Sequence, residues 1–176
     1  MTMRTPIQIN DFLTNPLQIW QRQAMLLCAG DFGSGEFNAM TVGWGSLGIM
    51  WQKPFAQVVV RPSRYTMEFM EKYDSFTLCL FPEEYRKEVL LLGRVSGRDG
   101  DKIAEAGFNP VKSEIVTAPG FKEAELIIEC SKIYFQDMDP KGFLDPEIEK
   151  GYPKNDFHRI YYGRIEAIHG CENYRV

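Results

Sequence analysis

Six consecutive residues, Arg61, Pro62, Ser63, Arg64, Tyr65 and Thr66, place two guanidinium forks, two aliphatic hydroxyls and a phenol just before a segment of helical character. Free N–H groups at a helix start favour an anion, and arginine forks match phosphate oxygens in charge and geometry. The same residues would also make a strand-end turn with solvated arginines and Thr66 as a helix cap. A second cluster, Ser96, Gly97, Arg98, Asp99, Gly100, Asp101 and Lys102, combines small residues that expose backbone N–H groups with cations. Two such loops could grip one phosphate, although turn chemistry accounts for the second cluster by itself. No Gly-Lys-Ser/Thr follows at P-loop spacing and no GxGxxG run is present, so neither cluster is a familiar nucleotide loop.

A third group precedes the first. Met40, Thr41, Val42, Gly43, Trp44, Gly45, Ser46, Leu47, Gly48, Ile49, Met50 and Trp51 set two tryptophans among three glycines, ahead of an apolar strand. Glycines let a planar ligand approach the backbone, and indoles can wall a pocket. Core anchoring of Trp44 and Trp51 around a bend is the other reading. The two histidines, His158 and His169, lie in no Ser/His/Asp or Cys/His arrangement. His158 could border a ligand pocket or be a structural histidine, and His169 reads as a surface residue. Cys28, Cys79, Cys130 and Cys171 form no CxxC pair and show no metal-ligand spacing. Three sit in apolar runs, where free thiols behave as small hydrophobes.

These residues need a scaffold. A chain of 176 residues, 44% hydrophobic and 25% charged, suits one sizeable core, so residues 1–176 are expected to form a single domain. A formal net charge of -4 provides no global positive field, which argues against nucleic acid or anionic lipid as partners. With no signal-peptide core and no apolar run approaching 18 residues, neither secretion nor membrane spanning is expected, and a reducing cytoplasm fits the cysteines. Strands are predicted over 24–29, 37–44, 55–61, 76–81, 125–136 and 157–169, with helices over 66–72, 83–92 (broken by Gly93) and 101–106. In the last strand Ile160, Tyr162, Arg164, Glu166 and Ile168 alternate against Tyr161, Gly163, Ile165 and Ala167 throughout. The pattern is mainly β, a barrel decorated by short peripheral α-helices.

Taken in order, the motifs resemble the flavin reductase-like, FMN-binding split-barrel family that includes flavoredoxin. That pattern runs Asn38, Met40, Thr41, then Trp44-Gly45, Gly48, Trp51, Lys53 and Pro54, an apolar strand, the six residues from Arg61 to Thr66, and Ser96 through Lys102. Phe157-His158-Arg159-Ile160-Tyr161-Tyr162-Gly163 is similar to the closing strands. The resemblance implies a six-stranded Greek-key split barrel that pairs as a homodimer and binds FMN near the subunit interface. It implies that Arg61, Ser63, Arg64, Thr66 and Lys102 hold the phosphate, with Tyr65 beside them, while Ser96, Gly97, Arg98 and Asp99 supply further contacts. Met40, Thr41, Val42, Gly43 and Trp44 would lie along the isoalloxazine, with His158 at its border. Gly43 departs from the pattern, since many relatives carry Ser there. The implied activity is an FMN-dependent oxidoreductase taking hydride or electrons from NAD(P)H or from a small redox protein. A non-catalytic FMN-binding or flavin-sensing module, or a barrel turned to haem or a pyridoxal-type phosphate, are the alternatives.

Overall fold

The computed structural model describes residues 3–21 and 25–176; Ala24, the expected first residue of one strand, lies outside them. The elements in chain order are β1 (Thr5–Pro6), α1 (Pro16–Gln21), β2 (Met25–Asp31), β3 (Glu36–Val42), β4 (Gly45–Met50), β5 (Lys53–Val60), α2 (Thr66–Lys72), β6 (Ser75–Leu80) and α3 (Arg86–Arg94). They continue with α4 (Lys102–Glu105), β7 (Pro110–Val111), β8 (Gly120–Phe121), β9 (Leu126–Asp137), α5 (Pro146–Glu149) and β10 (Arg159–Gly170). Seven strands form one antiparallel path, β3-β2-β6-β9-β10-β5-β4, with β1 added beside β10. The path therefore exceeds the expected six strands. Residues 45–50, part of the Gly/Trp-rich stretch for which no strand is predicted, are a strand paired with β5 through a tight turn in which Trp51 and Gln52 take φ of 51° and 59°.

The sheet curls around a core built from alternate residues of its strands, among them Leu27, Val42, Val58, Leu78, Ile128 and Tyr161. β2 is apolar on both faces for a reason. Met25, Leu27 and Ala29 point into the barrel, while Leu26 and Cys28 lie under a second cluster with Val89, Leu92 and Ile103 of α3 and α4. Phe81, Phe108 and Phe121 pack together in that outer layer, with ring centroids 4.7–6.0 Å apart. All four cysteines are free and buried, in keeping with the hydrophobic reading.

Tertiary packing overrides local signals at several points. The return strand ends at Val42 rather than running to Trp44. Gly93 does not break its helix, because α3 runs through it to Arg94; a Cβ there would lie 2.8 Å from Thr41 Oγ1, so glycine is what lets α3 seat on β3. Thr66 does not cap α2. Tyr65 precedes that helix without a side-chain cap, and Thr66 is buried, its Oγ1 accepting from Asn38 Nδ2 at 2.7 Å. In β10 the inward set starts as Tyr161, Gly163 and Ile165 but continues as Ile168 and Gly170, because a register shift between Ile165 and Ala167 reverses the phase. Among the described residues no helix is long and apolar enough to cross a membrane.

Candidate functional site

The two edges of the sheet, β3 and β4, are consecutive in the chain, so the barrel is open where Gly43 and Trp44 step from one to the other. A cleft of about 190 Å³ lies at this opening. Met40, Thr41, Val42, Gly43 and Trp44 form one wall, and Val59, Arg61, Arg64 and His158 line the rest. The wall presents chiefly backbone. Met40 and Val42 turn their side chains into the core, and the Thr41 hydroxyl is committed to the Val89 carbonyl of α3. Among the described residues strand β3 pairs with β2 alone, which leaves its second edge unpaired within the sheet and able to offer N–H and C=O groups to a ligand. Gly43 is not needed for space, since a Cβ there would lie 3.7 Å from the Trp20 carbonyl, an ordinary contact. Trp44, 58% exposed, stands beside the cleft with its ring 5.1 Å from that of His158, and Trp51 is 55% exposed against Tyr134 and Tyr162. Neither indole is a core anchor.

The two arginines of the first cluster have different surroundings. At the end of β5, Arg61 Nη1 donates to Asp156 Oδ1 at 2.9 Å and Nη2 donates to the Gly151 carbonyl at 3.0 Å. Its guanidinium also lies 4.8 Å from the centre of the Tyr152 ring. Ser63 Oγ donates to the second oxygen of Asp156 at 3.4 Å. Arg64 makes one bond of this kind, Nη1 to the Gly93 carbonyl at 2.9 Å. Lys102 meets it at the same helix end. Its Nζ donates to the carbonyls of Leu92 at 2.8 Å and Val95 at 3.1 Å.

Two cations thus converge on the C-terminal end of α3, where the helix dipole favours them. An ammonium has three donors and a guanidinium five, so both retain N–H groups after meeting these carbonyls. Lys102 is only 4% exposed, and among the described residues neither it nor Arg64 is ion-paired to a carboxylate. Burial, and then the nearby Arg64 charge, lowers the Lys102 pKa to about 8. His158 is pushed down to about 4, first by burial and then by the Arg61 charge, so its ring is neutral at pH 7. Its Nδ1 lies 2.7 Å from the Tyr152 hydroxyl.

The remaining predicted residues are placed apart from the cleft. Tyr65, Gly97 and Lys102 line a larger neighbouring groove of about 600 Å³, together with Asn38 and Phe69. Gly97 sits close against Asn38, where a Cβ would come within 2.4 Å of Oδ1. Ser63, Thr66, Ser96, Arg98 and Asp99 line neither cavity. Ser96 Oγ accepts from the Arg98 N–H at 3.2 Å, and Arg98 stacks 4.8 Å over Tyr65 while pairing with Glu68. Sequence reasoning missed Val59, Tyr152 and Asp156. Val59 was legible only as a strand residue, and the other two lie in a Pro- and Asp-bearing connector whose contacts with Arg61 span about ninety residues.

The architecture is that of an open-edged, curled antiparallel barrel, a split barrel, with a backbone-walled cleft lined by Arg61 and Arg64. The chain belongs to the flavin reductase like domain family, whose profile matches residues 20–175. It is 27% identical over 133 residues to an uncharacterised protein of Pyrococcus abyssi, an alignment covering 75% of this chain and 65% of that one. The chain spans about half to two thirds of the length of the curated relatives it matches. Among solved structures, it is similar to flavoredoxin from Methanosarcina acetivorans at 24% identity and a TM-score of 0.66, covering 100% of this chain and 77% of that one. An FMN-binding domain of a flavin reductases-like enzyme from Shewanella baltica aligns at 14% identity and a TM-score of 0.70, covering 97% and 78%. These likenesses establish the split-barrel fold.

Proposed function

We propose that the protein is an FMN-binding oxidoreductase of the flavin reductase and flavoredoxin kind. The observation that carries this reading is the buried Lys102 ammonium, which among the described residues has only two carbonyls as hydrogen-bond partners beside a second cation, Arg64. A buried charge is normally paired, and an anion placed between these two groups would neutralise both. The residues fit a phosphate monoester joined to a planar ring. Lys102 and Arg64 hold the phosphate, the open edge of β3 offers backbone groups to the ring's polar side, and Trp44 and Val59 cover its apolar part. Arg61 and Ser63 act indirectly on this reading, by tethering the 151–156 segment through Asp156. When bound, FMN supplies the hydride and single-electron chemistry. The chain's own residues orient the ring, limit the access of water and neutralise the tail.

The cleft is smaller than the roughly 300–1,000 Å³ usual for ligand pockets. A homodimer in which a second copy closes the cleft over the exposed Trp44 accounts for the difference. NADH, NADPH or a small redox protein is the electron donor on this proposal, and four free buried thiols suit a reducing cytoplasm. Adding FMN to the purified protein and following the visible spectrum, then mixing anaerobically with each nicotinamide in a stopped-flow instrument, tests cofactor and activity together. Saturable uptake followed by bleaching of the bound flavin is expected. A protein that takes up no FMN would sink the proposal; uptake without reduction by nicotinamides or by a reduced redox protein would leave a binding module.

A further inference from the structure

The segment joining β9 to β10 packs across the end of β5 and brings Tyr152 behind His158. The Tyr152 ring is held on several sides. Phe143 stacks at 5.9 Å with planes 17° apart, Phe157 packs at 4.9 Å, and the Arg61 guanidinium lies 4.8 Å from the ring centre. Tyr152 is 4% exposed and His158 8%, so the 2.7 Å contact between the phenol oxygen and Nδ1 is shielded from water. The phenol has one proton and two candidate acceptors, Nδ1 and the Met138 thioether sulfur at 3.6 Å. An imidazole lone pair is much the stronger acceptor, so the proton is directed to Nδ1. A neutral imidazole that accepts at Nδ1 carries its own proton on Nε2. The charged groups around the ring are Arg61, Arg64 and Asp156; the two cations oppose a second proton, and Asp156 is already bonded to Arg61 and Ser63.

We propose that Tyr152 is a positioning residue that donates to His158 Nδ1 and locks the Nε2–H tautomer, so that the cleft beside Trp44 offers a neutral N–H donor to an acceptor atom of its ligand. The tautomer follows from contacts within this chain. Naming the acceptor as a carbonyl or ring nitrogen of flavin rests on the cofactor reading above. A fixed donor at this position also selects among ligands, because a group presenting its own N–H there would leave two donors facing each other without an acceptor. The arrangement works as a second layer does behind a ligating histidine, where the partner on one ring nitrogen decides what the other can do.

The test is nitrogen NMR of histidine-labelled protein without ligand, with the His158 signals assigned by a His158→Gln variant. At pH 7 the wild type is expected to show a protonated Nε2 and an unprotonated Nδ1, and Tyr152→Phe to show a mixture of tautomers with its thermal unfolding otherwise wild-type-like. A wild-type Nδ1–H tautomer, or an unchanged pattern in Tyr152→Phe, overturns the proposal. The ligand half is read by titration with FMN and with riboflavin. Tyr152→Phe should weaken both by a similar factor, about three- to tenfold, since the contact is to the ring and not to the phosphate. Unchanged affinity for both, alongside a disturbed tautomer, would show that His158 donates to no bound flavin atom. Failure of the wild type to bind either flavin would count against the cofactor reading and the ligand half together, and the NMR result would still decide the role of Tyr152.

Discussion

At the residue scale, cations that look equivalent in sequence differ in what they have left to offer. Arg61 is held by a carboxylate, a carbonyl and an aromatic face, whereas among the described residues Arg64 and Lys102 hydrogen-bond to carbonyls only. Replacing Lys102 by Ala should therefore weaken FMN by about 1.5–3 kcal/mol and leave riboflavin nearly unchanged, measured by fluorescence titration. Because the Lys102 value without ligand is about 8, the ammonium is lost as pH rises through that point. FMN affinity should fall between about pH 7 and 9 in the wild type while riboflavin affinity stays level; equal pH dependence for the two ligands would place the phosphate elsewhere. His158 gives a stability term of known sign. Its folded value of about 4 lies below the ordinary 6.5 of a free imidazole, so the unfolded chain binds the extra proton between those limits. Stability from this group is complete above about pH 6.5 and is lost as pH falls towards 4, on the order of 1–2 kcal/mol once solvent screening is allowed for. Urea unfolding of His158→Gln across this window should show a flatter pH slope than the wild type.

At the element scale, α3 couples the barrel to the site. It seats on β3 where Gly93 meets Thr41, and its last turn supplies the carbonyls of Leu92 and Gly93 that place Lys102 and Arg64. Gly93→Ala gains helix propensity of up to about 1 kcal/mol but forces a Cβ to within 2.8 Å of Thr41 Oγ1. A net loss of about 1–2 kcal/mol in chemical denaturation is expected, together with weaker FMN binding as the last turn lifts. A stabilised variant with wild-type affinity would show that the seat has no such role. The sequence placed β2, β6 and α2 well, because a mostly apolar run marks each of the two strands and a single helical period marks the helix. It misplaced Gly93 and residues 45–50, where a close contact from another element outweighs the local preference for a break or a turn. The reversal of face within β10 was invisible for a similar reason, since a bulge is a property of two strands and not of one.

At the scale of the whole molecule, the open edge between β3 and β4 leaves a cleft of about 190 Å³ beside an exposed Trp44, and the proposed function has a second copy of the chain complete it. Sedimentation should give a mass twice that of one chain, and replacing Trp44 by Ser should shift the distribution towards single chains and reduce flavin uptake with it. A wild-type single chain that binds FMN fully would remove the shared-site idea. The sequence by itself determined the mainly β character, the run of glycines and tryptophans beside a strand, the abundance of cations in two loops, and the family in which these occur together. Those features are local, since they depend on side-chain type and on spacing along the chain. Only the tertiary structure decided which cations retain donors, that Thr66 is tied to Asn38, and that Tyr152 stands behind His158. The partners that occupy Arg61 stand 95 and 90 positions away in the chain and Asn38 meets Thr66 across 28, while Tyr152 reaches His158 only through the way their shared connector packs, and such strand order and packing are encoded by no local periodicity.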